Sequence, residues 1–426
     1  MVDIQHFTYD ILPNNAIVLL LEPWNIGLGN LLANDVLISL MIFTVILWWI
    51  YPPLAWWSGI TGKTGYVQWP AYNAGWWYRY GNSGGMDLFM NWGYLPLVIG
   101  GALGLVIWTI YVGRRELIAS FKGSREDTPI SGPAAWLGYI ICTLITVAFL
   151  TISGSAWWLS LFVVLMSHLW YFMMAWVLGE TGGHFGNSTL VGWEFVYNPA
   201  VSLWTSAGLT PQEGWAAVQF AQIGTGSMNS GPDPVAISLE NFRTGEIFNT
   251  RSKDVLVATI LGAIACVIAY FFGYLYGVYA TGAQARGQWY GRWANEHNGG
   301  WLVNQLHVPF ATDSVAYFGS QNKVMNENIY SWIAIGTIIV LLMFYVRTKK
   351  PGAWWALHPI AWLTALLWPH WFFPALAALI IKWIVMRVGG APIYEKKIIP
   401  LSIGWMVSYG LNNLVSNIAY SFVGVV

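Results

Sequence analysis

From Val255 to Tyr279 the chain runs without one charged side chain, and Val36 to Tyr51 and Ile329 to Tyr345 do the same. Apolar runs of about 17–25 residues match the hydrocarbon core of a bilayer, so these segments read as membrane spans. Composition agrees: 56% of residues are apolar and only 9% charged, against about 25% charged in a soluble domain. The 29 tryptophans often pair near the ends of such runs, as at Trp48-Trp49, Trp56-Trp57, Trp76-Trp77, Trp157-Trp158 and Trp354-Trp355. Amphipathic indoles prefer the headgroup layer and anchor spans there.

These features predict an all-α polytopic transmembrane bundle forming a single domain over 1–426. About nine spans are expected, near 36–51, 95–112, 133–152, 157–178, 255–279, 329–345, 354–368, 371–388 and 399–425. Two long ordered loops, 181–254 and 282–328, and an aromatic, glycine-rich segment, 52–91, connect them. Irregular backbone at membrane depth survives only where protein or a wet cavity satisfies its polar groups, so pieces of these connections are expected to re-enter the bundle. Three prolines and two histidines between His358 and Pro374 predict that the seventh and eighth spans are short, broken or hairpin-like. Arg114, Arg115, Lys122 and Arg125 follow the second span, Arg347, Lys349 and Lys350 the sixth, and Arg387, Lys396 and Lys397 the eighth. Short basic loops face the cytoplasm, which predicts a cell-membrane protein with its N-terminus cytoplasmic and its C-terminus outside. The segment 1–34 has acidic residues and no lysine or arginine, unlike a cleavable signal peptide.

Several function classes are disfavoured. Balanced charge, 19 basic and 19 acidic residues, gives no attraction for nucleic acid. Cys142 and Cys266 both fall in apolar runs, where two thiols make neither a zinc nor an iron–sulfur site. No two of the seven histidines share a helix face within one long span, so no metal, haem or other cofactor is expected. Nucleophile motifs, paired glycosidase carboxylates and zinc-protease signatures are missing, and a non-enzymatic role is expected.

The last span carries a polar stripe, Tyr409, Asn412, Asn413, Ser416, Asn417 and Tyr420, at i, i+3, i+4, i+7, i+8 and i+11. Amides facing lipid lack partners, so the stripe is read as either a pathway lining or interhelical glue. His168 sits mid-span, where a titratable group is either functional or a neutral ring bonded to a carbonyl. Glu180, His184 and Asn187 lie in a glycine-rich turn suited to a substrate or cation gate, or to a helix cap and loop. His358 and His370 flank the proline-broken segment. Lys382 and Arg387 read as snorkelling toward the interface, and Glu240, Arg243 and Glu246 as a solvated helix.

The stretch from Trp354-Trp355-Ala356-Leu357-His358-Pro359-Ile360, through Lys382-Trp383, to Arg387-Val388-Gly389-Gly390 and Ile393-Tyr394 resembles an uncharacterised family of prokaryotic membrane proteins related to the oligopeptide transporter superfamily. Glu180-Thr181-Gly182 and Leu239-Glu240-Asn241-Phe242-Arg243 extend the resemblance to about two thirds of the chain. Arginines that precede the corresponding Glu-Ala-Gly in that family are replaced here by Trp176-Val177-Leu178-Gly179, and an N-terminal block of helices is missing. The resemblance implies transport of a small polar solute such as a peptide or chelated metal, with a second copy or a separate membrane subunit supplying the missing helices. The alternative is a structural or accessory subunit of a larger membrane complex, and a third reading is a redox membrane subunit.

Overall fold

The computed structural model describes residues 2–3, 8, 11–12, 17–19, 21–58, 94–123, 129–181, 196, 199–200, 203–204, 207–224, 234–281, 328–350, 356–367 and 371–423. Apart from a two-residue antiparallel ladder, β1 (Val2–Asp3) on β2 (Val18–Leu19), the regular structure described is helical. Helix α1 is Pro23–Leu31; α2, Asn34–Thr44, continues through a π-helical turn, Val45–Ile50, into α3, Tyr51–Trp57. Then come α4 (Tyr94–Lys122), α5 (Gly132–Ile152), α6 (Trp157–Thr181), α7 (Pro211–Gly224), α8 (Pro234–Ile247) and α9 (Ser252–Thr281). The chain closes with α10 (Asn328–Lys349), α11 (Pro359–Leu367), α12 (Phe372–Ile393), a π-helical turn, Tyr394–Ile398, and α13 (Ile399–Val423).

Seven segments of the described residues are long and apolar enough to cross a membrane, which makes this a multi-pass membrane protein. The last of them, Phe372–Asn412, is 41 residues long and covers nearly all of the expected span at 371–388 and the first part, 399–412, of that at 399–425. At 1.5 Å per residue it measures about 60 Å, twice a bilayer core. It bends at Gly390, whose φ of 67° is open to glycine and disfavoured for other residues. The expected span at 354–368 is different. Residues 356–367 of it are described and hold α11, 9 residues or about 13 Å, and it is not among the seven segments found in the described residues.

The tightest pair is α4 with α10. Gly100 and Gly104, four residues apart, let the backbones meet: a Cβ on Gly100 would lie 2.0 Å from the Ile333 carbonyl oxygen, and one on Gly104 2.8 Å from that of Thr337. Gly336 returns the contact, 2.6 Å from the Leu97 oxygen. The Thr337 hydroxyl donates to the Gly100 carbonyl at 2.9 Å. Small residues at such spacing bring membrane helices into van der Waals contact where no hydrophobic force drives association. By contrast α5 and α9 present exposed apolar side chains such as Leu144, Phe149, Val267 and Phe272, as lipid contact requires.

Within the expected ordered loop 181–254, α7 and α8 are well formed. Glu213 accepts from the Thr210 backbone N–H and hydroxyl, both at 2.8 Å, a cap that starts α7. Those two bonds lower the Glu213 carboxyl below its ordinary range. The Ser155 hydroxyl accepts from the Ala217 N–H at 2.9 Å and ties α7 to the bundle. On α8, Arg243 pairs with Glu246 in water, as a solvated helix should. Segments 58–91 and 282–327 lie largely or wholly outside the described residues.

Candidate functional site

Two short helices, α1 and α11, each of 9 residues and each opening with proline, precede long ones, α2 and α12. Contacts fix their directions. Along α11 and α2, the His358 N–H donates to the Ser39 hydroxyl (2.8 Å), Trp362 meets Phe43 edge-on (5.2 Å), and Trp48 Nε1 donates to the Ala365 carbonyl (2.6 Å). Both numbers rise together, so α11 runs parallel to α2. Along α1 and α12, Trp24 meets Trp371 (6.2 Å), a Cβ on Gly29 would lie 2.8 Å from that of Ala378, and the Lys382 ammonium donates to the Leu32 carbonyl. Hence α1 runs parallel to α12. Trp49 at the end of the π turn packs on Phe372 at the start of α12 (4.4 Å), so α2 and α12 are antiparallel.

Each unit is therefore a helical hairpin with one short and one long limb, and each hairpin straddles the long limb of the other. The first turns at Leu32 and Ala33, both extended, with φ/ψ of −77/154° and −66/147°. In the second, residues 368–370 between α11 and α12 lie outside the described residues. Exchange of limbs about antiparallel α2 and α12 gives the pair two-fold character, with its axis perpendicular to the spans. Inverted repeats of broken helices have this symmetry.

The hairpins are held by buried polar groups. His358 precedes α11: its Nδ1 accepts the Ile360 N–H at 3.3 Å, which caps the helix and leaves the ring neutral with its proton on Nε2. Burial, with the Arg347 guanidinium adding and Asp35 opposing, lowers His358 to about 4. Arg347 pairs with Asp35 at 2.8 Å and donates to the Ala356 carbonyl at 3.1 Å, joining α10, α2 and the approach to α11. Under α1, the Asn30 amide donates to the Ser402 hydroxyl at 3.0 Å and the Tyr394 hydroxyl donates to the Asn30 carbonyl. Asn25 donates to Glu22 at 3.0 Å. Asn25 and Asn30 are almost fully buried, yet each Oδ1 lacks a hydrogen-bond partner. Such acceptors are uncommon in native interiors.

Lys382 departs from the snorkelling reading. It is buried, and its ammonium sits at the carbonyl end of α1, where a cation complements the helix dipole. Arg387 is exposed over the Trp383 ring at 5.4 Å, as snorkelling predicts.

The other predicted residues scatter. Tyr409 stacks on Trp24 of α1 at 4.8 Å, whereas Asn412 is exposed, because among the elements described α13 packs chiefly on α1 and leaves that flank open. His168 shares a hydrogen bond of 2.9 Å with the Tyr139 hydroxyl between α5 and α6, away from the helices that α13 touches. The side chains of Asn413, Ser416, Asn417, Tyr420 and Glu180, and residues His184, Asn187 and His370, lie outside the described set. Asn25, Asn30 and Ser39 were not singled out by sequence. Their signal was an amide or hydroxyl inside an apolar stretch, weakened for α1 by glycines that resemble a loop.

Among the described residues no three His, Cys, Asp or Glu side chains converge as a metal site. No curated protein matches the chain. The model of DUF6785, a family of unknown function, matches residues 13–410, and the chain belongs to that family.

Proposed function

We propose that the chain is a transporter-like, non-enzymatic membrane protein that moves a small polar solute, such as a peptide or a chelated metal, between its two interlocked hairpins. The observation that carries this reading is the crossed pair α1–α2 and α11–α12, because discontinuous helices in inverted repeats are the usual frame of a transporter binding site. The expected resemblance to an uncharacterised family related to the oligopeptide transporter superfamily is in keeping with this reading. Buried Asn25 and Asn30, with free acceptors, are the polar groups best situated to meet a solute, and Tyr409, stacked on Trp24, and His358, at the start of α11, border the same hairpins. The Arg347–Asp35 pair puts the basic end of α10 level with the start of α2, and that face is the cytoplasmic one.

Asn30→Cys, in a chain with Cys142 and Cys266 changed to Ser, tests the reading in proteoliposomes. A membrane-impermeant maleimide should label it from one side at a rate that a transported dipeptide or metal chelate alters. If the site stays unlabelled with every solute and no uptake occurs, the transport reading fails.

A second reading, an accessory subunit or homo-oligomer, is favoured by Asn412, whose exposed amide in the last helix calls for a polar partner from another chain.

A further inference from the structure

A cavity of about 600 Å³ opens between the ends of α4, α6 and α10, apart from the hairpins. Its walls are aromatic: Trp108 stacks on Phe344 at 5.3 Å, and Tyr111 and Trp176 complete them. Three arginines line it, Arg114, Arg115 and Arg347. Arg347 is fixed by Asp35 and the Ala356 carbonyl. Arg114 lies over the Tyr111 ring at 4.2 Å and donates to the Tyr111 carbonyl, while Arg115 is exposed. Among the described residues, no Asp or Glu lines it. The Trp176 indole N–H is buried and has no hydrogen-bond partner, a further donor awaiting an acceptor. The volume falls in the range of small-ligand sites.

Three arginines and a buried indole N–H without an acceptor, on aromatic walls, at the level where basic residues mark the membrane face, define one ligand chemistry. We propose that this cavity binds a phosphate anion, whether borne by an acidic phospholipid headgroup or free in solution. Guanidinium forks match phosphate oxygens in bidentate fashion. Basic pockets between membrane helices meet anionic headgroups at this depth. The aromatic rings offer apolar cover to the glycerol and upper acyl segments of a lipid. The site stands whether or not the hairpins transport anything.

Native mass spectrometry of the full chain released from nanodiscs of phosphatidylglycerol or phosphatidylcholine tests the lipid arm. Titration with inorganic phosphate in detergent tests the free arm. The variant is Arg114→Gln with Arg115→Gln, whose exposed side chains can be exchanged without disturbing packing, as an unchanged melting temperature would verify. Retention of phosphatidylglycerol over phosphatidylcholine, falling roughly thirtyfold in apparent affinity in the double variant, supports a headgroup site. Binding of inorganic phosphate that falls likewise, with no lipid preference, supports a free-anion site. If neither ligand shows a preference that depends on the two arginines, the proposal is overturned.

Discussion

Replacing Gly100 with alanine tests whether α4 and α10 are held by backbone contact. The new Cβ would stand 2.0 Å from the Ile333 oxygen, where ordinary contact begins at 3.4 Å, so the helices must part by about 1.4 Å on this side. Overpacking of this kind costs about 1–3 kcal/mol. Separation also weakens the bond from the Thr337 hydroxyl to Gly100, worth about 0.6 kcal/mol between membrane helices. Against this, alanine gains about 1 kcal/mol of helix propensity over glycine. The net expectation is a loss of about 0.5–2.5 kcal/mol. Gly138 and Gly262 provide the control: nothing lies within 4 Å of a Cβ at either, so alanine there should be neutral or stabilising. Thermal unfolding of the three variants in one detergent, followed by tryptophan fluorescence, gives the ranking. A Gly100→Ala protein that melts with or above the other two would refute the reasoning.

Ser39→Ala removes the acceptor of the buried His358 N–H and should cost about 1–3 kcal/mol, read as a lower melting temperature that Ser39→Thr partly restores. His358 should make the protein less stable in acid. Its folded value of about 4 lies below the ordinary 6.5, so the unfolded chain takes up the proton first and stability drains away as pH falls from 6.5 toward 4. Melting curves across that range should flatten in His358→Gln, and an unchanged slope would contradict a buried neutral ring. Asp35→Asn breaks a pair whose partners are 28% and 46% exposed, and should shift stability by no more than about 1 kcal/mol; a larger fall in a denaturant titration would mean the pair is more deeply coupled.

How far the sequence spoke depended on the kind of signal. Runs such as Val255 to Tyr279 needed only length and apolarity, and they are helices. The prolines from Pro359 to Pro374 announced a broken segment, and short α11 stands before long α12 there. Helix α1 was invisible because Gly27 and Gly29 look like loop residues until Ser402 and Ala378 are seen pressed against them. Lys382 could not be placed, since snorkelling and capping differ only in a distant partner, Leu32. The stripe in α13 was legible as a pattern, yet Tyr409 meets a ring while Asn412 meets none, a division set by the docking of α1.

The bend at Gly390 leaves no slack in the chain. Beyond the kink at Gly390, the end of α12, the π turn and α13 follow one another with no loop to absorb a change of length. Inserting or deleting one residue there would turn everything downstream by about 100° and slide it 1.5 Å. Ser402 would swing off Asn30 and Tyr409 off Trp24 together. The final helix is thus geared to the hairpin, and a rotation of one is delivered to the other tooth for tooth.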